Sequence, residues 1–307
     1  MPARREGVTE ALLRDLRTIC RDVRAGEPLS HHVSFRIGGP ADVLLLPRGP
    51  EELREVLRFL FDRGERFVVL GRGSNVLVSD QGVRGVVVKV GRGLHRVRWD
   101  GTEMVAEAGV GLPSLARQAA RRGLRGLEFA AGIPGSVGGA VVMNAGAHGR
   151  CMADVVEAVR VVTPRGEEVW ENTALDFAYR TSRMQRETAV VLEAILRMEP
   201  GDPEEIQARM EEWLRLRSCT QPVGPPSSGC IFRNPPGEAA GRLIELAGCK
   251  GLRVGGVRIS TLHANYILNE GGGRALDVLR LVETVRDRVR RVFGVELELE
   301  VQLVGEF

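Results

Sequence analysis

Lysine is nearly absent from this chain: Lys89 and Lys250 stand against 43 basic residues in all, so the rest are arginines. Those arginines are scattered, and 40 acidic residues leave a net charge of only +3. No basic face of the kind that tracks a nucleic-acid backbone is legible, so no nucleic-acid partner is expected. Long apolar runs are missing too, and none approaches the ~20 residues that cross a bilayer. The N-terminal stretch MPARREGVTEALLRDLRTICRD has no signal-peptide pattern. It reads as an amphipathic helix with Leu12, Leu13, Leu16, Ile19, Cys20 and Val23 on one side. Cysteine is sparse and odd in number: Cys20, Cys151, Cys219, Cys230 and Cys249 form no CxxC pair and no zinc spacing with histidine. Reduced thiols, no metal and a cytoplasmic location without membrane insertion are expected.

What remains is an ordinary globular composition, 43% hydrophobic and 27% charged over 307 residues, long enough for two or three domains. Ser34 to Ile37 alternates like a strand and ADVLLLP reads as a buried one. PEELREVLRFLFDRG has the proline and acids of a helix start and ends at Gly64. FVVL, VLV and GVVVKV follow as strands, closing a first α+β domain over residues 1–90. Residues 91–199 are mostly β, interrupted by the helix PSLARQAARRG. Residues 200–307 open with the helix DPEEIQARMEEWLRLR. They continue through a Pro/Ser/Gly loop, the helix GEAAGRLIELAG, the strand HANYILN, a long amphipathic helix and a last strand, ELELEVQLVG.

Glycine is plentiful at 38 residues, and two clusters stand out. Gly71-Arg72-Gly73-Ser74-Asn75 lies between the apolar runs FVVL and VLV. Glycines let backbone N–H groups converge on an anion, which makes the loop a phosphate candidate. A Rossmann turn would pass straight into a helix, whereas Val76, Leu77 and Val78 have strand character. Taken by itself, the loop is equally a tight strand connection. The second cluster, GLEFAAGIPGSVGGAVVMNAGAHG over 126–149, holds seven glycines. With two such loops a dinucleotide becomes the better reading, with Pro134, Val137 and Ala140 able to pack on a flat ring.

Several motifs carry a resemblance: SFRIGGPAD (34–42), VLGRGSNVLVSD (69–80), the 126–149 segment, FAYRTSR (177–183), SSGCIFRNP (227–235), AGRLIELAGCKGLRVGG (240–256), HANYILN (263–269) and GVELELEVQLVG (294–305). Together, in this order, they resemble the UDP-N-acetylenolpyruvoylglucosamine reductase (MurB) family, in the shorter type that lacks an extra loop after the FAYRTS-like motif. The resemblance implies an α+β fold: an FAD-binding region of the vanillyl-alcohol-oxidase (PCMH) type in two subdomains, plus a C-terminal α+β substrate-binding domain. It also implies a monomeric oxidoreductase of peptidoglycan synthesis, acting on a small nucleotide-sugar. NADPH gives hydride to flavin N5, which passes it to C3 of UDP-N-acetylglucosamine enolpyruvate. A proton then reaches C2, giving UDP-N-acetylmuramate.

On this resemblance FAD is held non-covalently by Arg36 and by Gly71, Arg72, Gly73, Ser74 and Asn75. The second loop adds Gly132, Ile133, Pro134, Gly135, Ser136, Gly138, Gly139 and Ala140, then Asn144, Ala145, Gly146 and His148. Arg180 matches the family's catalytic arginine, and a guanidinium suits a carboxylate because it donates two parallel hydrogen bonds. Glu300 matches the catalytic glutamate, although alternation with Glu296 and Glu298 by itself describes a solvated strand edge. Cys230 is a departure, standing where the family usually has a serine proton donor. A thiol is the stronger acid of the two and can fill that role. Asn234 and His263 match positions that contact substrate.

Overall fold

The computed structural model describes residues 8–91 and 93–307. Residues 1–7, the start of the expected N-terminal helix, lie outside them. Seven α-helices occur among the described residues: α1 (Glu10–Ile19), α2 (Pro50–Asp62), α3 (Leu112–Ala120), α4 (Val137–Val142), α5 (Pro203–Thr220), α6 (Ala240–Leu246) and α7 (Ala275–Phe293). Contacts divide the chain into two compact units. The first contains the residues up to Arg24 with Val43–Arg72 and Gly85–Arg217; the second contains Ala25–Asp42, Gly73–Arg84 and Ser218–Phe307.

In the first unit α1 starts at Thr9, whose hydroxyl accepts the Leu12 N–H at 3.2 Å, an N-cap that satisfies one free donor of the first turn. The apolar stripe read from the sequence is the buried one, with Leu12, Leu13 and Leu16 in the core beside Leu53, Val56, Leu57 and Leu60 of α2. Pro50 occupies the first turn of α2, and the Glu52 carboxylate accepts the N–H groups of Arg21 (2.6 Å) and Arg48 (2.8 Å). Phe67–Leu70 pairs in parallel with Val86–Lys89. A five-stranded antiparallel sheet follows in the order Gly166–Glu171, Val156–Thr163, Val190–Arg197, Glu103–Glu107, Val97–Asp100. Val159, Val161, Ala194, Leu196, Met104 and Ala106 face its core, shared with Leu112, Leu115, Ala116 and Ala119 of α3.

In the second unit Val76–Val78, the strand directly after the first glycine loop, pairs in parallel with Gln302–Val304. A small antiparallel sheet of Arg253–Val254, Val257–Ile259 and Ile267–Asn269 shares its core with α6 and α7. α7 buries Val278, Leu281, Val282, Val285 and Val289 and ends at Gly294, whose φ of +69° is the left-handed stop that glycine adopts without strain.

Four local expectations are corrected. Ser34 to Ile37 is a turn and not a strand: Phe35 and Ile37 are buried as the alternation requires, but Arg36 has φ +55°, which no strand tolerates. HANYILN has strand geometry only over Ile267–Asn269. The last strand is confined to Gln302–Val304, while Leu299 makes an isolated bridge with Phe232. The second glycine segment contains α4, and two donors of its first turn are satisfied from outside the helix, Val137 N–H by Val110 O and Gly138 N–H by Ala108 O, both at 2.9 Å.

Candidate functional site

Within the first unit, Gly71 of the first glycine loop lies against Ser136 of the second. A Cβ placed on Gly71 would stand 2.6 Å from Ser136 Oγ, so only glycine fits there without a shift. The Arg72 guanidinium lies over Gly111, 3.2 Å from where a Cβ on that glycine would be, and has no ion pair among the described residues. Along the loop, the N–H groups of Gly71, Arg72, Gly73 and Asn75 donate to no protein acceptor among the described residues. Gly73 has φ +65° and would clash with His32 O if it carried a side chain. In the first unit, the open N–H groups of Gly71 and Arg72 and an arginine side chain with no ion pair among the described residues are groups that suit a diphosphate. These residues therefore fit the diphosphate of FAD.

The second loop is locked to the FAYRTSR segment. Asn144 donates through Nδ2 to Ala178 O (3.0 Å) and accepts the Ala153 N–H (3.0 Å). Ser182, fully buried, donates to Val142 O at 2.7 Å. Arg180 Nη2 donates to Gly146 O at 2.9 Å, and its guanidinium lies 5.1 Å from the Tyr179 ring centroid. Among the described residues five non-glycines have positive φ, and four of them, Arg36, Asn144, His148 and Arg180, are residues singled out from the sequence. Left-handed non-glycine residues cost energy and concentrate where function needs a fixed geometry.

The remaining second-loop residues sort by position. Gly132 closes a short 3-10 turn, with Ile133 after it, and Arg217 Cδ of α5 would be 2.9 Å from a Cβ there. Pro134 and Gly139 are exposed, and Gly135 and Ser136 lead into α4. Gly138 packs against Ala108, where a Cβ would be 2.9 Å from the alanine methyl. Val137 and Ala140 are buried in the core. Ala145 N–H bonds Ala140 O at 2.8 Å, and Gly146 pairs with Cys151 in a small hairpin. His148 stacks on Trp213 of α5, centroids 4.5 Å apart and planes within 6°. Desolvation, and then the nearby Arg217 charge, push the His148 pKa down. Trp213 escaped the sequence reading, and nothing in its local pattern marks it.

In the second unit Cys230 bridges Tyr266, and the Glu300 N–H donates to Ile231 O at 2.8 Å, so Cys230 and Glu300 lie on neighbouring stretches of backbone. Asn75 Nδ2 donates to Glu300 O (3.1 Å) and Asn75 O accepts the Gln302 N–H (3.0 Å), which ties the first loop to the Glu300 segment. His263 sits edge-on to Tyr266 at 5.1 Å and against Gly241. Asn234 accepts the Ala240 N–H through Oδ1 at 3.0 Å. Ser228 is buried, and its hydroxyl has no hydrogen-bond partner among the described residues. The sequence reading passed over Asn265 and Tyr266, although both lie inside the HANYILN motif.

The fold and these loops define a flavin-dinucleotide-binding protein of the PCMH class with a C-terminal α+β module. Residues 41–172 match the FAD binding domain family, and residues 221–304 match the C-terminal domain family of UDP-N-acetylenolpyruvoylglucosamine reductase. The UDP-N-acetylenolpyruvoylglucosamine reductase of Halalkalibacterium halodurans is 44% identical over 97% of this chain and 99% of its own length. The crystal structure of the Thermus caldophilus reductase (MurB) superposes with a TM-score of 0.79 at 40% identity, covering 92% of this chain and 98% of that one. Alkyldihydroxyacetonephosphate synthase, at 16% identity and a TM-score of 0.50 over 65% of this chain and 42% of its own, shares the fold alone. The chain belongs to the UDP-N-acetylenolpyruvoylglucosamine reductase family.

Proposed function

We propose that this chain is an NADPH-dependent FAD reductase that converts UDP-N-acetylglucosamine enolpyruvate to UDP-N-acetylmuramate for peptidoglycan synthesis. The observation that supports the cofactor is that, among the described residues, the N–H groups of Gly71 and Arg72 have no protein acceptor and the Arg72 side chain has no ion pair. FAD held there would supply the redox chemistry, carrying the hydride that NADPH provides to the enol ether. The protein's residues manage the charge and the proton. Arg180, whose left-handed backbone and bond to Gly146 O fix its guanidinium, stabilises the negative charge that builds on the substrate carboxylate. Cys230 delivers the proton to C2. Glu300 shares a proton with the carboxylate or orients the acid. Asn234 and His263 hold the nucleotide-sugar. Arg36, the Gly71–Asn75 loop and the 132–148 segment hold FAD.

The same reading includes a cytoplasmic monomer, since NADPH and nucleotide-sugars are cytoplasmic metabolites. It also includes a division of the chain at 1–90, 91–199 and 200–307, of which the second boundary is supported by a family boundary that falls between residues 172 and 221. No helix among the described residues is long and apolar enough to cross a membrane. Cys230→Ala and Cys230→Ser test the proton donor. In anaerobic single-turnover mixing both variants should be reduced by NADPH at the wild-type rate. Only Cys230→Ser should then return its flavin to the oxidised state with the enolpyruvyl substrate. Normal reoxidation of Cys230→Ala by that substrate would remove Cys230 from the mechanism.

A further inference from the structure

The segment that carries Cys230 has no regular strand, yet it is held from both sides. On one side the Ile231 N–H donates to Asn265 O at 2.9 Å and Cys230 bridges Tyr266. On the other, Glu300 N–H donates to Ile231 O (2.8 Å) and Arg233 N–H donates to Glu298 O (2.9 Å). Between these contacts stands Phe232, itself buried, and both of its peptide groups are claimed by one side chain. Asn265 accepts the Phe232 N–H through Oδ1 at 2.9 Å and donates through Nδ2 to Phe232 O at 2.8 Å. Asn265 is 2% exposed, and nothing else among the described residues satisfies that N–H.

This arrangement fixes a register. In an extended segment a slip of one residue turns every side chain to the opposite face. Here such a slip would point Ile231 where Cys230 points. It would also change which carbonyl receives the Glu300 N–H. A carboxamide suits the task because it carries one donor and one acceptor at the spacing of a peptide group. We propose that Asn265 is a positioning residue for the proton-transfer step: its side chain stands in for a neighbouring strand, and through Phe232 it sets the register of Cys230 and Glu300. The proposal rests on the reading of Cys230 as proton donor.

Asn265→Asp is the informative substitution. A protonated carboxyl presents the same donor and acceptor to Phe232, whereas a carboxylate sets a second acceptor against Phe232 O. Burial favours the protonated form, so the switch falls within an accessible pH range. A displaced reacting group costs on the order of 100-fold in rate. In the holoenzyme, NADPH should reduce the flavin of Asn265→Asp at the wild-type rate. Reoxidation by UDP-N-acetylglucosamine enolpyruvate should be slowed by about that factor in mildly alkaline buffer. The ratio of variant to wild-type reoxidation rates should climb as pH falls through the carboxyl's titration. Asn265→Ser, whose hydroxyl serves only one of the two Phe232 groups, should be slow without that recovery, and it supplies the test if Asn265→Asp does not fold in alkali. Reoxidation of either variant at the wild-type rate throughout would overturn the proposal, and so would equal slowing of both half-reactions. The Cys230→Ala control separates the two ideas: if it reoxidises normally the proton-donor reading has failed, and if it is blocked while the Asn265 variants are normal only the positioning role has failed.

Discussion

Gly71→Ala tests whether the two glycine loops form one cradle. The added methyl would stand 2.6 Å from Ser136 Oγ, about 0.8 Å inside an ordinary contact of ~3.4 Å. Ser136 Cβ is 3.8 Å from the same point, an ordinary van der Waals distance, so the conflict lies with a single oxygen. Ser136 is 2% exposed, so the oxygen can give way only by rotation about its Cα–Cβ bond within a buried setting, and the cost of the clash is capped by that rotation. Overpacking of this kind costs about 1–3 kcal/mol. The strain is expected to push Gly71 off Ser136 and to weaken FAD by about tenfold for each 1.4 kcal/mol. Flavin fluorescence quenching on titration of FAD into deflavinated protein measures the loss. Ser136→Ala removes the oxygen and leaves only the 3.8 Å contact, so the double variant Gly71→Ala/Ser136→Ala should recover most of the affinity. Additive losses from the two single substitutions would refute the reasoning, because uncoupled residues are not in contact.

Arg180→Lys keeps a positive charge but not the planar fork, and a lost charge-assisted hydrogen bond is worth about 1.5–3 kcal/mol. The substrate half-reaction should slow by roughly 10- to 150-fold with NADPH reduction unchanged, and stopped-flow mixing separates the two. Burial drives the Cys20 thiol up to about 12, so iodoacetamide near neutral pH should label exposed Cys219 and spare Cys20, as peptide mass mapping would report. Because the folded pKa of Cys20 exceeds its unfolded value near 9.0, its contribution to stability is complete below 9.0 and declines as pH rises towards 12. Thermal melts of wild type against Cys20→Ala should converge across that interval. A gap that stays constant would contradict the assignment.

The parts of the fold that the sequence announced are those set by local pattern. The stripe of α1, the proline start of α2 and the amphipathic helix α7 stand where periodicity and capping residues put them. The strand after Asn75 was legible from Val76, Leu77 and Val78, and it excluded a Rossmann turn correctly. Features set by distant partners were hidden. α4 forms in a stretch whose glycines are poor helix formers, helped by Val110 O and Ala108 O, which satisfy donors of its first turn. Arg36 looked like a strand residue because no local rule marks a non-glycine position for positive φ. The strand read over 296–305 shrank to Gln302–Val304, since Val76–Val78 is the partner it finds and that partner is three residues long. At the site, the resemblance picked out Cys230 and Glu300, and the structure holds them on adjacent stretches of backbone through Ile231. Asn265 remained invisible because its bonds to Phe232 span 33 positions of sequence.

The visible spectrum of the purified protein, followed without oxygen, tests the central claim most directly. A flavin spectrum that bleaches on addition of NADPH and returns on addition of UDP-N-acetylglucosamine enolpyruvate is the predicted result, and it establishes both half-reactions in one cuvette. A protein that contains no flavin and cannot be reconstituted with FAD would contradict the reading of both glycine loops. A flavin that bleaches with NADPH but stays reduced with that substrate would contradict the proposed reaction.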